Sequence, residues 1–142
     1  MSFLDLPLAA LREYRPAVNE PTDFDTFWAT TLAESRAVST APIVTRIDAG
    51  LTGVEVFDVT FSGFAGDPIK AWLLLPLEGD QLPAVVEYNG YGGGRGLPHE
   101  RLAWVTAGYA YLFMDTRGQG SAWGSGGGTP DPHGSGPPFQ GR

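Results

Sequence analysis

The chain has 142 residues, 42% of them hydrophobic and 18% charged, which is the balance of a folded domain with a core. Nine basic residues stand against 16 acidic ones, a net charge of −7; Lys70 is the only lysine and the arginines are scattered. That excludes a basic footprint for nucleic acid or a polybasic membrane patch, and it favours neutral over anionic substrates. With no cysteine, neither a disulfide framework nor a thiolate metal site can form. The first residues lack a basic leader, and Asp5 and Pro7 interrupt their apolar run; no stretch approaches the ~20 apolar residues of a membrane span. The expectation is a cytoplasmic protein.

Asp5 ahead of Pro7 predicts a short helix that Pro16 stops. Thr22 and Asp25 have capping-box spacing, and Phe24, Phe27, Trp28 and Leu32 follow at helical intervals to about Ala37. The period then changes. Ile43–Ile47 is a short strand, and from Val54 to Phe61 the chain alternates. Val54, Val56, Asp58 and Thr60 share one face, and Glu55, Phe57, Val59 and Phe61 share the other. Residues 62–68 carry turn chemistry and Ile69–Leu75 is the returning strand, which makes an antiparallel meander. Ala84–Tyr88 is an apolar run of the parallel-sheet kind, followed by a glycine-rich loop to Gly96. A helix from about His99 to Thr106, stopped by Gly108, leads to a second buried-type strand at Tyr109–Met114. Strand, loop, helix and strand form a βαβ unit with parallel strands. From Arg117 to Arg142 nine glycines and four prolines remove all periodicity.

The fold class read from this order is α/β, the N-terminal portion of an α/β-hydrolase fold. Residues 1–40 are a helical lead-in, 41–116 the sheet with one crossover helix, and 117–142 irregular, all within one domain spanning 1–142. In that fold the loop after the third main strand contributes to the oxyanion hole, and the G-x-S-x-G elbow follows the fifth. Lacking its next strand, Tyr109–Met114 is expected to stand as an open hydrophobic edge and to weaken the chain.

Residues 88–96, Tyr-Asn-Gly-Tyr-Gly-Gly-Gly-Arg-Gly, invite a nucleotide reading that the spacing refuses. Starting G-x-G-x-x-G at Gly90, Gly92 or Gly94 puts Arg95, Leu97 or His99 at the third glycine, and no Gly-Lys-Ser/Thr occurs. Glycines also let a backbone approach a reacting carbonyl, which makes Tyr91 a candidate donor to an oxyanion or an exposed loop tyrosine. Asp115, at the end of a parallel strand, is either catalytic or part of a loop clamp with Arg117. No serine of the last segment sits on an elbow: Ser121 has Gln119 and Trp123 two residues away, Ser125 has Trp123 and Gly127, and Ser135 has His133 and Pro137. His99 and His133 are the only imidazoles, and either is a base in principle. His99-Glu100 is not a zinc motif, since Ala103 occupies the place of the second histidine.

Several segments, taken in order, resemble the acetyl xylan esterase/cephalosporin C deacetylase family. They are Leu4–Leu8, Tyr14-Arg15-Pro16, Asp23–Trp28, Val56–Gly63, the Tyr91 glycine loop through Pro98-His99, and Met114-Asp115-Thr116-Arg117-Gly118-Gln119-Gly120. The resemblance implies a cytoplasmic serine esterase that deacetylates short acetylated xylo-oligosaccharides and cephalosporin C. It further implies a Ser–His–Asp triad, no cofactor, and commonly a homohexamer. Tyr91 matches the tyrosine that contacts substrate and helps form the oxyanion hole. Arg117, Gly118 and Gln119 match a signature triplet that holds the site together. The family's triad residues have no counterpart among these residues and are expected beyond Arg142, so the chain alone should not turn over substrate. The alternative is a non-catalytic carbohydrate-binding or subunit-assembly module derived from the same fold.

Overall fold

The computed structural model describes residues 5–90 and 93–117. Tyr91, Gly118, Gln119, His133 and the Gly/Pro-rich segment after Arg117 therefore lie outside the described residues. The chain divides after Leu32 into two compact units.

In the first unit, α1 (Leu8–Glu13) follows Pro7 and ends before Pro16, as proline geometry requires. Asp5 does not cap it; its Oδ1 accepts the neighbouring Leu6 N–H at 2.8 Å. The second helix, α2 (Phe24–Ala37), opens two residues after Thr22 and runs on into the second unit. Its aromatic stripe is local. The Trp28 ring meets Phe27 and Phe24 edge-on, at 5.4 and 6.3 Å between centroids.

The second unit is a mixed sheet of five strands among the described residues, in the order β1-β2-β3-β5-β4. β1 (Ile43–Ile47), β2 (Val54–Ser62) and β3 (Pro68–Pro76) form the antiparallel meander read from the alternation. β4 (Ala84–Tyr88) and β5 (Ala110–Met114) pair in parallel, as a βαβ unit must.

One expectation is overturned. β5 is not an edge: it lies between β3, to which it is antiparallel, and β4. The crossover returns the chain to the inner side of β4, because Tyr111 and Phe113 must be covered and β3 offers Leu74 and Trp72 opposite them. Among the described residues the outer strand of the parallel pair is β4 instead. There Val86 is 50% and Tyr88 66% exposed, whereas Tyr111 and Phe113 are each 2% exposed.

The expected helix at 99–106 is also broken. A single turn at Pro98–Glu100 is followed by α3 (Leu102–Thr106), with Arg101 off helical geometry between them. The break lets Arg101 lay its guanidinium 3.8 Å over the Phe113 ring. Gly108, at φ 92°, ends α3 as a left-handed stop. Val105 of α3 closes the core with Val56, Trp72, Leu74, Tyr111 and Phe113, all on the sheet face that carries Asp58.

A parallel outer strand that no described residue pairs with offers this 142-residue chain a template for self-pairing. Replacing Val86 with lysine is expected to lower concentration-dependent association, measured by light scattering, while shifting stability by no more than about 0.5 kcal/mol. Association that persists unchanged in Val86→Lys would place the contact elsewhere.

Candidate active-site framework

Because β4 and β5 are parallel, the loops leaving them emerge side by side. The antiparallel β3 brings its start, and the turn before it, to the same place. Carboxyl ends of parallel strands are where α/β proteins build sites.

Arg95, within the glycine loop, is only 4% exposed. Its Nη1 donates to Asp58 Oδ1 and to the Ala71 carbonyl, both at 2.8 Å. The guanidinium carbon stands 3.8 Å from the Trp72 ring centroid, and the Trp72 indole N–H donates to the Gly96 carbonyl at 2.9 Å. Asp58 is shared with Lys70, whose Nζ lies 3.8 Å from the same oxygen. The Arg95 backbone N–H donates to Asp115 Oδ1, and Asp115 is fully buried. The Asp115 N–H in turn donates to the Lys70 carbonyl at 2.8 Å. Gly96, at φ 57°, lies in the left-handed region that favours glycine, and a Cβ there would also displace the Glu100 carboxylate that accepts the Leu97 N–H.

A second brace comes from Asn89, the first residue after β4. Its Oδ1 accepts from the Thr116 N–H at 2.7 Å and the Thr116 hydroxyl at 3.0 Å. Its Nδ2 donates to the carbonyls of Gly93, at 2.8 Å, and Gly90, at 3.2 Å. The Gly93 N–H closes back on the Gly90 carbonyl at 3.1 Å. Arg117 forms a third brace, donating to Asp67 Oδ2 at 3.0 Å beside the exposed Phe64 ring.

The sequence-based candidates are sorted accordingly. Among the described residues Asp115 accepts from the Arg95 main chain and Arg117 pairs with Asp67, so the clamp read between Asp115 and Arg117 is not the contact seen here. His99 is exposed and hydrogen-bonded through Nε2 to the Ala49 carbonyl at 2.8 Å, away from this cluster. Tyr91 lies outside the described residues, although both residues that flank its loop, Gly90 and Gly93, are held. Two residues escaped the sequence reading. Arg95 had one signal, a lone charge inside a glycine run. Asn89 had another, an Asx side chain opening a turn where it can bond nearby backbone.

Behind the frame, Tyr111 donates to Glu87 Oε2 at 2.9 Å, and Arg101 Nη1 lies 4.0 Å from Glu87 Oε1. Burial above all, and then the Glu87 carboxylate, push the Tyr111 phenol well above the usual tyrosine range, against a smaller opposing pull from Arg101.

Taken together, a mixed sheet whose parallel strands release cross-braced loops at one end defines an α/β-hydrolase-like protein. A sequence model of the family described as acetyl xylan esterase (AXE1) matches residues 1–140, and the chain belongs to that family. Among solved structures it is similar to the acetyl xylan esterase from Paenibacillus sp. R4, with 36% identity and a TM-score of 0.73 over 86% of this chain and 42% of that one. It is also similar to acetyl xylan esterase 1 from Thermoanaerobacterium sp. JW/SL YS485, with 33% identity and a TM-score of 0.73 over 82% of this chain and 37% of that one. The chain thus spans about two fifths of the length of these relatives.

Two outcomes test the framework. Arg95→Met is expected to cost about 3 kcal/mol in urea unfolding, since it strips a buried ion pair while leaving Asp58 and the Ala71 carbonyl behind. Arg95→Lys should recover only part, lacking the planar fork and the stack on Trp72. The Tyr111 phenol ionises later in the folded chain than in the unfolded one, where its pKa is about 10. Its contribution is therefore complete below about pH 10 and lost as pH rises towards the raised native value. Absorbance at 295 nm should show one tyrosine ionising only with unfolding. Tyr111→Phe should remove that component and cost about 1 kcal/mol at neutral pH.

Proposed function

We propose that the chain supplies the substrate-facing wall and oxyanion loop of an acetyl ester hydrolase. The observation that carries this is the glycine loop after β4, tied at Asn89 and at Arg95 to the loop leaving β5. A loop with so little side-chain bulk can bring backbone and Tyr91 close to a carbonyl, and its braces keep donors fixed while charge develops. Fixed donors stabilise a tetrahedral oxyanion better than mobile ones, because nothing must reorganise as the acyl carbon is attacked. In this reading Tyr91 contacts the acetyl group and helps hold its oxygen. Arg117, Gly118 and Gln119 hold the site together, a role that the Arg117–Asp67 ion pair supports.

The substrates proposed are acetylated xylo-oligosaccharides and the acetyl ester of cephalosporin C, in the cytoplasm and in a homo-oligomeric assembly. Neutral acetyl esters suit a chain of net charge −7. The reaction is acyl transfer through a serine, with no cofactor called for. None of Ser121, Ser125 and Ser135 is given the nucleophile's role, and the 142 residues alone are proposed to be catalytically silent. A fluorophosphonate probe should leave this polypeptide unlabelled, and p-nitrophenyl acetate should hydrolyse no faster than in buffer. Strong labelling of any serine would overturn the silence. Saturable binding of xylobiose without turnover and without preference for the acetyl group would mark the chain as a binding or assembly module of the same fold.

A further inference from the structure

Asn89 makes four hydrogen bonds that join three pieces of backbone, which is more than a turn needs. Its acceptor arm takes both the N–H and the hydroxyl of Thr116, in the loop after β5. Its donor arm takes the carbonyls of Gly90 and Gly93, on either side of residues 91 and 92. An amide accepts at its oxygen and donates at its nitrogen without carrying charge, so one side chain can tie two carbonyls and two donors at once. We propose that Asn89 is a positioning residue: its amide sets the register of the glycine loop against the loop leaving β5. This rests on the reading of that loop as the acetyl-contacting wall, and it assigns the loop's placement to a residue that touches no substrate itself.

Three considerations set Asn89 apart from the Arg95 clamp. Arg95 anchors the far end of the glycine loop to the sheet through buried groups, so its loss unsettles the fold. Asn89 lies at the near end, where its bonds are only partly buried and its truncation leaves the core intact. The sheet register from Ala84 to Tyr88 is already fixed by β5, so Asn89 adds nothing to strand pairing. What remains for it to fix is the path of Gly90 to Gly93 relative to Thr116. Two bonds to Thr116 and one each to Gly90 and Gly93 hold those three residues in one mutual register.

The test uses the 142-residue chain labelled with nitrogen-15. Amide hydrogen exchange reports the bonds, and titration with acetylated and unacetylated xylobiose reports the wall. Asn89→Ala removes both arms, and Asn89→Asp keeps the acceptor for Thr116 while losing the donor to Gly93. Asn89→Ala is expected to lose about tenfold of exchange protection at the Thr116 N–H, while the core amides of β3 and β5 keep their protection and unfolding stays cooperative. Asn89→Asp should retain that protection, yet both variants should lose the preference for the acetylated sugar. A purely structural residue would not split the two readouts in this way. Protection at Thr116 that survives Asn89→Ala, or an acetyl preference that survives in both variants, overturns the inference. If the unaltered chain shows no acetyl preference while the exchange pattern is as expected, the acetyl-wall reading fails, and the positioning role falls with it.

Discussion

The site end of this sheet depends on burying one guanidinium. Taking an arginine out of water costs several kcal/mol, and it is tolerated only where the charge is paired and its donors are used. Arg95 meets those conditions with Asp58, the Ala71 carbonyl and the face of Trp72, although its Nε finds no partner among the described residues. The consequence is geometric. With the side chain fixed on β2 and β3, the main chain of Arg95 can stand in only one place, and there its N–H meets Asp115. Asp115 is itself fixed through the Lys70 carbonyl. A segment rich in glycine, with many backbone conformations otherwise open to it, is thereby tied to β2, β3 and the residue after β5.

A second arginine repeats the device on the same sheet face. Arg101 covers the Phe113 ring as Arg95 covers Trp72, and these rings sit opposite one another in the β3–β5 register. Each ring offers its face to a cation and its edge to the core, so the sheet is covered here by arginine stems as much as by α3. This explains the break at Arg101. A continuous helix through Pro98–Thr106 would keep all its side chains at helical intervals, and the Phe113 ring calls for one outside that pattern. The five-residue α3 is what is left once both arginines have been placed.

Much of this was legible in the sequence, for identifiable reasons. The bounds of β1 and β4 coincide with the reading, and those of β2 and β3 differ by one residue at their ends, because alternation and turn residues act locally. Gly108 was read as a stop from its position alone, and its positive φ is the physical content of that reading. The family resemblance drawn from ordered motifs agrees with the family match along the chain. The place of β5 was not legible. Whether a crossover returns its strand inside or outside the first one depends on what the third strand offers, and Leu74 and Trp72 lie some 40 residues earlier. The contact between Asp115 and the Arg95 main chain escaped for a related reason, since Arg95 lies twenty residues away and sequence proximity points first to Arg117.

The polar character of the frame has a functional logic that stability alone would not require. An apolar cluster in place of Arg95 and Asp58 could hold the sheet as well, since burying a charge pair often gains nothing over packing hydrocarbon. Hydrocarbon packing has no direction, however, and would leave the glycine loop free to slide. Hydrogen bonds have direction, and those from Arg95, Asn89 and Arg117 each fix a different point on the loops that surround the proposed acetyl wall. A donor meant for a developing oxyanion must already point at it before charge appears, because reorientation during the reaction would consume the stabilisation. Directional bracing of a loop that has almost no side chains is how such orientation can be held without filling the space a substrate needs. The glycines add little bulk, and the three polar braces fix the described residues on either side of residues 91 and 92 and the turn at Asp67.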